Sequence, residues 1–448
     1  MAARARAAAF QVLGAITAGR VDLGDALSRA RDPLTDSRDR ALATDLATGT
    51  LRWRGALDYQ LQRLSAKPLG KLDAAVLDAL RLGAYQILYL DRVPISAVVN
   101  DSVDLVKASG LGSAAGFANA VLRRLARERD TLVWPDRTDL VEYLSVLHSH
   151  PAWLVHRWVD RYGEHTTEHW LRFNNKPPAM TLATNRLLGT RDELIARLRL
   201  EGVETAPTLT APYGMTVLSG RPLTSAAFRD GYCLVQDEAS QIIPDLLQAE
   251  PQERVLDACA SPGGKTVAAA AQVAPGHVVA TDVRRRRVAL LAATVARCRA
   301  ANVRVVQIGS RSRLPFADEA FDRVLIDAPC SGLGTVRRDP DIRWRRDPSQ
   351  FDALARGQVD LLERVRPLVA RGGRIVYSTC SSEPEENEDV VAAFLEGAPE
   401  FSVLPLESAG LAPPIAAMQT DEGYLRTSPA FGLEAFFAAI LRKHPSRV

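Results

Sequence analysis

From residue 253 onward, short apolar runs alternate with helical stretches: RVLDACA then GKTVAAAAQVA, HVVATD then RRRRVALLAATVARCRA, and afterwards VRVVQI, DRVLIDA and GRIVYST. Val- and Ile-rich runs of strand length, separated by amphipathic segments, predict a parallel, doubly wound α/β sheet whose ligands sit at the carboxyl ends of the strands. That pattern governs everything else in this half. Its unusual residues, the glycine pair at 263–264, Asp282, Asp327, Cys330 and Cys380, fall at predicted strand ends.

The first strand runs into DACASPGGKT, where Gly263 and Gly264 permit a tight turn that presents backbone N–H groups at a helix N-terminus. Gly264-Lys265-Thr266, followed later by VLIDA, imitates the two nucleotide motifs of a phosphate-loop ATPase. The imitation breaks at Cys259, which stands where that loop needs glycine, and at Pro262, which removes an N–H donor. The competing reading is an adenosine-containing ligand without a polyphosphate. Asp282 ends VVATD, 25 residues beyond Asp257, and would accept hydrogen bonds from both ribose hydroxyls. The loop would then hold the amino-acid end of S-adenosylmethionine. A helix cap is the plainer role for Asp282.

Cys330 follows the fourth strand in IDAPCSG, and Cys380 follows the fifth in YSTCSS. A buried cysteine is usually inert packing, but two at neighbouring strand ends lie together over the expected ligand crevice. Beside a methyl donor, a thiolate has a specific use. Carbon 5 of a pyrimidine is a poor nucleophile, and addition of a thiolate to carbon 6 turns the ring into an enamine whose carbon 5 attacks a sulfonium methyl. A free thiol has a pKa of about 8.5, so a neighbouring cation or helix N-terminus must favour the thiolate, and Lys265 is the nearest candidate. Asp327, if protonated, would hydrogen-bond ring N3 of cytosine and relieve charge in the adduct. A second thiol would help the adduct collapse.

The remainder divides into two regions. Residues 1–131 are predicted all-helical, with apolar residues at Leu42, Leu46, Trp53, Leu57, Leu61, Leu64, Leu72, Val76 and Leu80. Residues 132–235 read as a helical linker plus a small α+β insert, and 236–448 as the α/β domain. His165, Glu168 and His169 match an H-x-x-E-H pattern, but no third ligand is identifiable, and the sequence predicts no metal site. Five cysteines without a CxxC pair argue against a disulfide framework. The absence of an eighteen-residue apolar run or a signal-like N-terminus predicts a soluble, cytoplasmic protein with no membrane partner. A net charge of +3 does not by itself announce a nucleic-acid partner. Local runs do: Arg337, Arg338, Arg343, Arg345 and Arg346 bracket Trp344 and predict phosphate contacts with one stacking surface for RNA, and Arg284 to Arg287 add a second basic run.

VLDACASPGGKT, VLIDAPCSGLGTVRRDPDIRW and IVYSTCSSEPEENE resemble the motifs of the Nop2/Sun-type RNA cytosine-C5 methyltransferase family, as do QDEAS at 236–240 and GLEAFFAAILRK near the C-terminus. The resemblance implies a Rossmann-like, S-adenosylmethionine-dependent domain with Cys380 as nucleophile and Cys330 as the thiol assisting release. It implies donor contacts from Cys259, Ala260, Ser261, Pro262, Gly263, Gly264, Lys265, Asp282 and Asp327. Two positions depart from the family pattern: Gly309-Ser310 stands for a Gly-Asp pair that holds the adenine amino group, and Glu434-Ala435-Phe436-Phe437 for Asp-Gly-Phe-Phe. RDRALATDLATGTLRW and VPISAVVNDSVDLVKASGLGSAAGFANAVLRRL resemble the RNA-binding NusB module. Together the halves are similar to the bacterial Sun/Fmu type, which implies a cytosine of small-subunit ribosomal RNA as substrate. An RNA-binding assembly factor without turnover and the ATPase are the rival classes.

Overall fold

A computed structural model describes residues 3–19, 21–91, 93–310 and 313–445; Met1 and Ala2 of the N-terminal helical pattern lie outside the described residues. The chain forms two compact units, one of Met1–Pro177 with Val336–Arg345, the other of Pro178–Thr335 with Arg346–Val448.

The first unit is helical. Its opening helix, Arg4–Thr17, buries Ala5, Ala8, Ala9, Val12, Leu13 and Ile16, one face at three- and four-residue spacing. Helices Ser37–Arg52, Arg54–Leu64, Ala74–Tyr89, Ile95–Ala108 and Ala115–Glu128 close around a single core that includes Leu46, Leu57, Leu61, Leu80 and Leu122. Gly49 admits the Tyr85 ring, whose Cζ lies 2.0 Å from where a Cβ would sit. Helix Ala152–Asn175 completes the unit. On it, His165 and His169 are exposed, while Glu168 accepts from Arg172 at 2.6 Å.

Segment Val336–Arg345 packs into this helical unit, which corrects the expectation of an RNA-stacking surface. Arg343 is fully buried and donates to the carbonyl of Ser149 and to Asn175 Oδ1, each at 3.0 Å. The Trp344 indole N–H donates to the Leu51 carbonyl at 2.8 Å, and the Arg54 guanidinium lies 5.5 Å over its ring. Arg337 donates to the Lys176 carbonyl and covers Phe173. The indole and these two guanidiniums serve packing, because carbonyls that would otherwise be orphaned recruit them.

The second unit begins with an antiparallel sheet of β1 (Thr181–Thr184), β2 (Glu204–Pro207), β3 (Gly214–Ser219) and β4 (Cys233–Val235), ordered β2-β3-β1-β4. Helix Arg191–Leu200, started by a Thr190–Glu193 capping box, packs on it through Leu194 and Leu198. Asn185 ties this sheet to the large one by donating to the Gly231 and Cys298 carbonyls, both at 2.8 Å.

The large sheet contains β5 (Arg254–Asp257), β6 (His277–Asp282), β7 (Val303–Gln307), β8 (Phe321–Asp327), β9 (Val369–Thr379), β10 (Phe401–Val403), β11 (Leu425–Arg426) and β12 (Phe437–Lys443). Its order is β10-β12-β9-β8-β5-β6-β7, with β11 paired to β12. Strands β7, β6, β5, β8 and β9 are mutually parallel as predicted; β12 and β10 extend the sheet antiparallel, beyond the all-parallel expectation. The strand order reverses between β5 and β8, which opens a crevice at their carboxyl ends.

Candidate active site

The loop after β5 occupies that crevice. Gly263 has φ of 109° and caps helix Gly264–Val273, a backbone shape that L side chains rarely adopt. Two cavities open on either side of Cys259. One, of about 260 Å³, is lined by Ala260, Ser261, Pro262, Gly264, Lys265 and Asp327 among others. The other, of about 290 Å³, is lined by Asp282, Ser310, Val283, Leu354 and Leu361. A chamber lined by Lys265, Asp257 and Asp327 as well as apolar side chains, adjoining one lined by Asp282 and apolar walls, fits an amino acid joined to a nucleoside, the shape of S-adenosylmethionine.

Cys259, Lys265, Asp282 and Asp327 are therefore gathered at these cavities, each with particular partners, whereas neither Cys330 nor Cys380 lines them. The Lys265 ammonium donates to Asp327 Oδ2 at 2.6 Å, so its partner is this carboxylate and not a thiol. Ser378 Oγ donates to the other Asp327 oxygen at 3.2 Å. Asp282 is buried, accepts from the Arg284 backbone N–H at 3.0 Å, and lies 3.6 Å from Arg287 Nε. It is not the helix cap, since Arg284 stands at that position and no side chain caps the helix, and it lines the cavity. Arg287 also donates to the Ser261 carbonyl, which fastens the donor loop. At the missing-acid position, Arg364 donates to the Gly309 and Ser310 carbonyls.

Strands β8 and β9 are adjacent, with Asp327 opposite Ser378, and the loops leaving them bring Cys330 Sγ and Cys380 Sγ to 3.3 Å. Both thiols are half-buried, and all five cysteines are free. The hydrogen bond to Cys380, then burial, then the Cys380 and Glu386 charges hold the Cys330 pKa well above its ordinary value. Cys330 is thereby favoured as the protonated thiol, and either sulfur can donate in the contact between them. Burial pushes the Cys259 thiol up strongly, and Cys233 up to about 12, so neither is a nucleophile at neutral pH.

Two residues escaped the sequence reading. Asp257, used there only as a ruler, is fully buried, lines the Lys265 cavity and accepts from Thr266 Oγ1 at 2.7 Å. Burial pushes its pKa up to about 7. Its place at the end of β5, matching Asp282 on β6 and Asp327 on β8, was the available signal. Glu386, hidden within the glutamate cluster of SSEPEENE, is fully buried beneath the two cysteine loops.

Comparison with known proteins agrees with this architecture. The family described as "16S rRNA methyltransferase RsmB/F" matches residues 244–442, the NusB family residues 3–127, and an RsmF/B-like ferredoxin-like domain residues 150–224. The "Probable ribosomal RNA small subunit methyltransferase B" of Bacillus subtilis is 35% identical over 91% of each chain. The "Ribosomal RNA small subunit methyltransferase B" of Pseudomonas putida is also 35% identical, over 91% of this chain and 93% of its own. A crystal structure described as PH0851 superposes with a TM-score of 0.83 at 25% identity, covering 99% of this chain and 100% of the other.

Proposed function

The chain belongs to the RsmB/F family of 16S rRNA methyltransferases, and from that premise we propose that it methylates carbon 5 of a cytosine in small-subunit ribosomal RNA through a covalent Cys380 adduct. The observation that carries this reading is the thiol pair at 3.3 Å, on loops leaving adjacent parallel strands beside the donor loop. S-adenosylmethionine supplies an electrophilic methyl on a sulfonium. Residues Cys259 to Lys265 would hold its amino-acid end, and Asp282 would hold its ribose.

Cys380, after losing its proton to solvent, adds as the thiolate to carbon 6 of the cytosine. The Lys265 ammonium passes a proton through the Asp327 carboxylate to ring N3 as the adduct forms, and the proton returns by the same path when the adduct collapses. Carbon 5, now enamine-like, takes the methyl group. Its proton then leaves to solvent, and the carbon–sulfur bond breaks with its electron pair returning to Cys380. Cys330, which keeps its own proton, hydrogen-bonds the departing sulfur. The three-part division at 131/132 and 235/236 goes with this reading: the NusB-like helices contact ribosomal RNA, and the enzyme works in the cytoplasm. Among the described residues, no helix is long and apolar enough to cross a membrane.

Mapping 5-methylcytosine in small-subunit RNA from cells with and without this chain tests the reaction, and an unchanged map would defeat it. Cys330→Ala is expected to accumulate a protein–RNA adduct that survives denaturing gels. Calorimetry in which ATP with magnesium binds and S-adenosylmethionine does not would favour the ATPase instead.

A further inference from the structure

Glu386 lies in the turn before helix Glu388–Gly397, and its side chain has no access to solvent. Burying a carboxylate costs several kcal/mol unless hydrogen bonds replace its water. Here the donors come from both cysteine loops. The Ser331 backbone N–H, next to Cys330, donates to Oε1 at 2.7 Å, and Ser381 Oγ, next to Cys380, donates to Oε2 at 2.5 Å. Gln358 Nε2 donates to Oε1 at 3.2 Å and also to the Pro329 carbonyl at 3.0 Å. The turn that carries Glu386 is itself fixed, because Tyr377 OH donates to the Glu386 carbonyl at 2.6 Å, and Asn387 Nδ2 donates to the Ser381 carbonyl at 3.1 Å.

We propose that Glu386 is a positioning residue that clamps the Cys330 and Cys380 loops together, one carboxylate oxygen to each, and so sets the spacing of the two sulfurs. Strand pairing alone does not fix that spacing: the β8–β9 register ends at Asp327 and Ser378, before either cysteine. Beyond it the loops are joined by side chains and turns, namely the Glu386 carboxylate, the Ser331–Ser381 hydroxyl contact at 3.1 Å and the Gly334 N–H to Cys380 carbonyl bond at 2.9 Å. A carboxylate suits the task better than an amide, because it accepts at both oxygens without rotating a donor toward one loop. The consequence for catalysis rests on the reaction proposed above: two sulfurs that must serve neighbouring atoms of one ring have to stay within contact of each other throughout the cycle.

The clamp is testable without RNA. The full chain is treated with diamide, which accepts the hydrogens of two thiols as they join, and the Cys330–Cys380 disulfide is followed by mass spectrometry of linked peptides. The unaltered protein should close this pair ahead of any other. Glu386→Ala should slow closure about tenfold or more, as expected for losing buried hydrogen bonds to a charged group, and Glu386→Gln should recover part of the rate. Ser381→Ala, which removes one bond only, carries the decision if Glu386→Ala does not fold. A folded Glu386→Ala or Ser381→Ala protein that closes the disulfide at the unaltered rate overturns the clamp. If closure slows while methyl transfer and adduct release keep their rates in an active enzyme, the catalytic consequence is overturned. A chain that methylates no RNA yet closes the disulfide in this Glu386-dependent way would defeat the proposed reaction and leave the clamp standing.

Discussion

Glu386 and Arg343 are both fully buried charges, and the comparison between them separates chemistry from scaffold. The carboxylate takes its hydrogen bonds from a backbone N–H, a hydroxyl and an amide. The guanidinium gives its own to the Ser149, Asn174 and Val336 carbonyls and to Asn175 Oδ1. Each is solvated by neutral groups of the protein. What differs is what those groups support: two half-buried thiols in one case, helix ends and an indole in the other. The same physical device therefore lies beneath a thiol pair in one unit and among helix ends in the other.

The comparison breaks first at the thiols. Cys380→Ala should lower methyl transfer by at least about 10³-fold, since the covalent route is lost, with melting temperature nearly unchanged. Single-turnover transfer of labelled methyl to ribosomal RNA checks this, and a modest loss would make the Glu386 side as structural as the Arg343 side. Arg343→Met is expected to show the converse, costing about 3 kcal/mol through stranded carbonyls while leaving the affinity for S-adenosylmethionine unaltered. Chemical denaturation and calorimetry together read both numbers.

Lys265→Met removes the partner at 2.6 Å from Asp327. The turnover rate should fall about 10²-fold, as for loss of a charged group at an active site, with a smaller effect on stability. A pH experiment sharpens the scaffold side. His150, packed beside Arg343, is held well below its ordinary 6.5 by burial and then by that guanidinium. Its Nδ1–H donates to the His148 carbonyl at 2.7 Å. Because the unfolded imidazole takes a proton that the buried one refuses, stability is lost as pH falls below the unfolded value. Relative to His150→Gln, the unaltered protein should lose about 1.4 kcal/mol per pH unit below about 6.5. Denaturation of both proteins at stepped pH reads the difference. The smallest effect belongs to Ser310→Asp, which supplies an acceptor in the cavity that also holds Asp282. It should tighten S-adenosylmethionine by about threefold to tenfold, one hydrogen bond's worth.

The positions of Lys265, Asp282, Asp327 and the two cysteines were legible because continuous Val- and Ile-rich runs of strand length betray buried strands, and a parallel sheet exposes its strand ends at one edge. Glu386 was not legible. A glutamate among SEPEENE looks solvated until helix Phe351–Val365 and both cysteine loops are seen to close over it. The run RRDPDIRWRR misled for the mirror-image reason: Arg343 and Trp344 find their acceptors at Ser149, Asn174, Asn175 and Leu51, far away in sequence.

By itself, the sequence determined the alternation of strands and helices, the glycine turn at 263–264 and the strand-end placement of Asp282, Asp327 and the two cysteines, all of which depend on neighbours a few positions away. Only the tertiary structure decided which charges are buried and what solvates them. Burial is a property of groups distant along the chain, and the desolvation of a carboxylate or a guanidinium is settled only when those groups arrive.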